Sequence, residues 1–94
     1  MIVRMLDLST AHVAQQTGLW LDTTGLDSGS PVVAYEKKEY GWLVHVPSEW
    51  DEGQAERIPG DLRAVMTYAR AKNCAWIMLD RDADEVYKLP TYEW

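Results

Sequence analysis

Residues 58–80 read IPGDLRAVMTYARAKNCAWIMLD, and this stretch decides the fold class. Leu62, Val65, Met66 and Ala69 recur at i, i+3, i+4 and i+7, the stripe of a helix buried on one side. Pro59 suits a first helical turn. Asp61 offsets the positive N-terminal end of the dipole, and Arg70 and Lys72 suit the C-terminal end. Asn73 is a residue that tolerates the left-handed conformation closing a helix. The period then changes at once: residues 75–79, AWIML, are continuously apolar and read as a buried strand. An amphipathic helix therefore feeds a strand.

Working toward the N-terminus, residues 48–57, SEWDEGQAER, hold the acids Glu49, Asp51, Glu52 and Glu56 and read as the longest exposed loop. Before them, VVAYEKK (32–38) and GWLVHVP (41–47) are two strands about a Glu39-Tyr40-Gly41 hairpin. Trp42, Val44 and Val46 share one face of the second, Leu43 and His45 the other. Residues 23–31, TTGLDSGSP, are turn chemistry. A helix precedes them over residues 11–22, capped by Ser9 or Thr10, with Val13, Thr17 and Trp20 on one stripe. Gly18 costs that helix about 1 kcal/mol and marks a close approach to the sheet. Residues 2–8, IVRMLDL, are the first strand. The order β-α-β-β-α-β specifies a single α+β domain, ferredoxin-like or a variant of it. Two helices would lie on one face of an antiparallel or mixed sheet. The first and last strands are the most apolar and read as central, whereas a ferredoxin-like sheet leaves the fourth strand at an edge. Either the tail covers that edge as an added strand through residues 86–89, or the strand order differs.

Composition narrows the class of function. The 94 residues are 47% apolar, with five Trp, five Tyr and no Phe, so a thin core is filled with large aromatic rings. Fifteen acids against nine Lys plus Arg give a net charge of -6. That field repels phosphate and anionic membranes, disfavours direct nucleic-acid binding, and suits a basic protein partner. One cysteine, Cys74, forms no intrachain disulfide. No run reaches the ~18 apolar residues of a membrane-spanning helix, and the expected location is the cytoplasm.

Two acidic clusters are candidate sites. Asp80, Asp82 and Asp84 alternate at the end of the last strand, the spacing at which carboxylates meet one hard cation if the backbone turns. An EF-hand loop would next need Gly and later Glu where Glu85 and Thr91 stand. The plainer reading is a solvated strand end capping a turn. Asp7 ends the first strand, and MIVRMLDLS is similar in shape to the first strand of the small ferredoxin-like nucleases of CRISPR adaptation. Were the first and last strands parallel neighbours, Asp7 and Asp80 would lie side by side, sharing a proton or holding a metal. An enzyme alternative therefore uses Asp7, Asp80 and Asp82 as catalytic groups of a metal-dependent nuclease or phosphoesterase.

The second cluster, Glu49, Asp51, Glu52 and Glu56, surrounds Trp50. An aromatic ring inside a charged rim is the composition of a protein–protein hot spot. Against it stands the loop folding back to bury the ring. Trp20, Trp42 and Trp76 read as core. Two His and one Cys, without a C-x-x-C pair, make no zinc site, and GLDSGS lacks the lysine of a phosphate loop. Cys74 is expected to be buried and inert, and His45 to sit on a sheet face with one hydrogen bond. Leu89, Tyr92 and Trp94 are expected to seal one side of the domain.

LSTAH (8–12), GWLVHV (41–46), IPGDL (58–62), CAWIMLDRDA (74–83) and the terminal LPTYEW (89–94) together resemble a family of small acidic proteins. These occur on plasmids, phages and integrated elements and are known only as a domain of unknown function. The resemblance implies a context in which small acidic proteins bind host proteins, inhibitors of restriction or CRISPR systems among them. The expected function is thus a non-enzymatic interaction module without cofactor. Glu49, Trp50, Asp51, Glu52, Glu56, Asp82, Asp84 and Glu85 would face a basic partner. A homodimer through an open sheet edge is compatible with this expectation and with the enzyme alternative.

Overall fold

The computed structural model describes residues 1–23, 31–37 and 41–94. The turn expected over 23–31 and the hairpin tip at Glu39-Tyr40 fall almost wholly outside the described residues. Four strands form one sheet: β1 (Met5–Ser9), β2 (Ala34–Glu36), β3 (Gly41–His45) and β4 (Trp76–Asp80). Its order is β1-β4-β3-β2, with β1 parallel to β4 and the other pairs antiparallel. This is a mixed α+β sheet whose order differs from the ferredoxin-like one. The last strand is central, as its apolar run demands, but β1 takes an edge. The exposed Met5 and Asp7 on one face of β1 explain why an edge suits it.

Register builds the core in two rungs. Leu8, Leu79 and Trp42 line up across β1, β4 and β3; Leu6, Ile77, Val44 and Ala34 line up across all four strands. Helices α1 (Gln15–Thr23) and α3 (Gly60–Ala71) cover this face. The predicted stripe Leu62, Val65, Met66 and Ala69 is the buried side of α3, and Asn73 closes the helix at φ 59°. Leu8, Leu21, Leu62, Val44, Ile77 and Leu79 are wholly buried. Truncating any of the leucines or Ile77 to Ala would cost about 2–5 kcal/mol.

Three local features depart from expectation. The first helix is broken: Thr10–His12 form a 3-10 turn before α1 begins. Residues 48–57 are not all loop, since a four-residue helix, α2 (Glu52–Ala55), buries Ala55. The tail adds no strand; its residues 84–94 cross the end of β1 instead, starting with the Ser9 N–H donating to the Asp84 carbonyl at 3.1 Å.

Asp61 does more than offset a dipole. Its carboxylate accepts the Ala14 N–H and the Thr17 hydroxyl, each at 2.6 Å, so the start of α3 caps the start of α1. Gly18 does mark a close approach. A Cβ there would lie 3.0 Å from Trp42 on the sheet and 2.6 Å from Trp94 of the tail.

Candidate functional site

The acids at the end of β4 form a turn. The Asp80 carboxylate accepts the Asp82 N–H at 2.9 Å through Oδ1 and the Lys37 ammonium at 2.9 Å through Oδ2. The Asp82 N–H, with Lys37 beside it, holds the Asp80 carboxyl below its usual 3.8. Asp82, Asp84 and Glu85 are exposed.

β1 and β4 are parallel neighbours, yet the register sets Ser9 opposite Asp80 and Asp7 opposite Met78. Asp7 and Asp80 share a face but stand two residues out of step, roughly 8 Å apart at Cα from strand spacing and rise. The side-by-side pair envisaged for them does not form. Among the described residues no three His, Cys, Asp or Glu side chains come together as a metal site.

The second acidic cluster is built on a rigid support. Trp50 is half-buried against the core, with the Arg70 guanidinium 4.7 Å from its ring centroid. Arg70 also donates to the Ser48 carbonyl at 2.9 Å. Asp51 caps α2 by accepting the Gly53 N–H at 2.8 Å. The segment thus folds back over Trp50, while Glu49, Asp51, Glu52 and Glu56 remain exposed. Beside it an open groove of about 890 Å³ runs between the end of β3 and the C-terminal end of α3, with Glu49 and Arg70 both in its wall.

Antiparallel pairing separates the two acidic clusters. Residues 49–56 follow β3 at the His45 end, which lies beside Trp76; residues 80–85 follow β4 at the other end, beside Gly41. Five-residue strands place the groups roughly 15 Å or more apart. Between them lies the sheet face that no helix among the described residues covers. It carries Val33, Tyr35 and Lys37 from the β2 strand line, Leu43 and His45 from β3, Trp76 and Met78 from β4, and Met5 and Asp7 from β1.

Trp76 belongs to this face and not to the core. Ile77 and Leu79 point inward, so alternation sends Trp76 outward. His45 meets its ring edge-on at 5.0 Å between centroids, and Tyr35 lies at 6.2 Å. The expectation that His45 is a sheet-face residue is met. Cys74 is buried, as expected.

His12 is the site residue that sequence reasoning did not find. It is 1% exposed and holds the tail: Nε2 accepts the Val86 N–H at 2.7 Å, which leaves the proton on Nδ1 to donate to the Pro90 carbonyl at 2.9 Å. The Tyr92 N–H donates to the Ala11 carbonyl at 2.8 Å, and the Trp94 indole N–H to the Val13 carbonyl at 2.9 Å. Leu89 packs on the core and Trp94 lies 6.3 Å from Trp42, but Trp94 and Tyr92 stay 55% and 37% exposed, so the seal expected of these three residues is partial. LSTAH and LPTYEW, two stretches nearly the whole chain apart, are the two halves of one contact. Their joint presence in the sequence was the available signal.

Among the described residues no helix is long and apolar enough to cross a membrane. No curated protein and no solved structure matches the chain. A family model does match, from Met5 at the start of β1 to Trp94 of the latched tail, thus taking in the sheet, both covering helices and the terminal motif. The chain therefore belongs to the family of unknown function DUF5983, whose C-terminal domain it matches over residues 5–94.

Proposed function

We propose that this protein is a non-enzymatic interaction module that binds a basic protein surface in the cytoplasm. In this reading it serves a mobile genetic element as an inhibitor of a host nucleic-acid-binding or defence protein. The observation behind it is the segment of residues 49–56: four carboxylates are exposed together on a backbone held by the Trp50–Arg70 stack, the Asp51 cap and buried Ala55. Carboxylates held at fixed spacing imitate a phosphate backbone and lose little entropy when a cationic groove closes on them. The second group, Asp82, Asp84 and Glu85, extends the same sign of charge to the far end of the sheet.

The test is charge reversal that leaves the Asp51 cap intact. Glu49→Lys, Glu52→Lys and Glu56→Lys together are expected to abolish the capture of basic host proteins at low salt. Wild-type capture should itself weaken as salt rises. Identical capture by the wild type and the triple variant, compared by quantitative mass spectrometry, would overturn the reading.

A further inference from the structure

We infer that the uncovered sheet face is itself the docking surface, and that its occupant is an extended, arginine- or lysine-bearing segment of a protein partner. This deepens the reading of a basic partner and rests on it. The face is apolar and aromatic toward the His45 end, where His45 and Trp76 close the two inner strands with Tyr35 beside them. Val33, Tyr35 and Met5, along the two edge strands, are 52%, 56% and 46% exposed, and the inner-strand residues Leu43, His45, Trp76 and Met78 are partly exposed.

Three observations identify a cation as the complement. The chain already places its own cations over two rings, Arg70 over Trp50 at 4.7 Å and Lys72 over Tyr68 at 5.7 Å. Tyr35 and Trp76 have none among the described residues, because the nearby Lys37 is committed to Asp80 and to the Met78 sulfur. An aromatic ring without its cation is an available site for one. Second, Asp7 stands exposed on this face with no hydrogen bond or ion pair among the described residues. Third, the exposed acids Asp82, Asp84 and Glu85 lie off one end of the strands, and Glu49, Asp51 and Glu52 off the other. A cationic segment lying along the strands meets Asp7 midway, with the two acidic groups beyond its ends.

Area rules against a second copy of the chain. Three strands of five residues and one of three make a face of roughly 300 Å² in projection, from strand spacing and rise. A stable interface needs about 800 Å² per partner. The adjoining groove is a poorer seat for a cation, because Arg70 lines it.

The experiment is a titration of the ¹⁵N-labelled full chain with the octapeptide (Arg-Ala)4, whose extended form presents every arginine on one side. The expected result is amide shifts centred on Tyr35, His45 and Trp76. Tyr35→Ser with Asp7→Asn, both exposed positions, should weaken binding roughly fivefold or more, the scale of one lost cation–π contact and one lost charge. Shifts confined to residues 49–56 or 82–85, unaffected by that pair, would overturn the docking face while leaving the basic-partner reading standing. Shifts on the sheet face produced by the single-stranded oligonucleotide dT8 and not by the peptide would overturn both. Absence of binding by either probe would overturn the inference.

Discussion

Residues 48–56 and 84–94 share two features as sequence: each carries acids, and each contains a tryptophan outside the periodic elements. They are held by different means. The tail is tied through its backbone. Asp84, Val86, Pro90 and Tyr92 each bond to the segment 9–12, and Trp94 reaches the Val13 carbonyl. The acidic segment is held by side chains, one ring under one guanidinium, one aspartate cap and one buried alanine. Backbone bonds commit the tail's polar groups inward, to the protein itself. Side-chain anchoring leaves every glutamate of the acidic segment facing water. Acids around a tryptophan therefore yield a structural strap in one place and a presented surface in the other.

The contrast breaks most visibly at His12. His12→Ala removes a buried ring and leaves the Val86 N–H and the Pro90 carbonyl without their partners. The expected loss is about 2–4 kcal/mol in urea unfolding, and limited proteolysis should release residues 84–94 before the domain unfolds. Unchanged stability with a protected tail would mean that the strap holds without its histidine.

The corresponding change in the acidic segment is smaller. Arg70→Ala removes the cation over Trp50 and the donor to Ser48, and is expected to cost about 1 kcal/mol. Trp50 fluorescence should shift to the red as the ring opens to water, with the tail still protected. A cost equal to that of His12→Ala would erase the distinction between the two segments.

The smallest effect concerns the strand end where the tail departs. The folded Asp80 carboxyl titrates below its unfolded value near 3.8. Its contribution is therefore present above about pH 4 and is lost as pH falls through the lower folded value. Asp80→Asn should be less stable than the wild type at neutral pH by a small, constant margin that closes only below pH 4. A gap that instead opened between pH 5 and 7 would point to another group.

Much of the fold was legible. The stripe of α3, the apolar run of β4 and the β2–β3 hairpin are local patterns whose period alone names them. Misplacement of Trp76 came from reading a continuous apolar run as core on both sides. β4 is buried on one face, and Ile77 and Leu79 take it. The short helix α2 was hidden because its four residues carry almost no periodic signal. His12 was invisible as a latch because both its partners are backbone atoms, at Val86 and Pro90, some 74 to 78 residues downstream.

What the sequence determined by itself was the inventory: α+β elements in order, a net negative charge, one buried cysteine and a covering tail. Each of these follows from composition or from periodicity over a few turns or pleats. Tertiary structure decided which strands are neighbours, and through register it decided the rest. A parallel β1–β4 pair set Asp7 against Met78 and not against Asp80. An antiparallel β3–β4 pair sent the two acidic groups to opposite ends of the sheet and left Tyr35, His45 and Trp76 together on its open face. Strand order and register depend on contacts between residues far apart in the chain, and local pattern carries no record of those contacts.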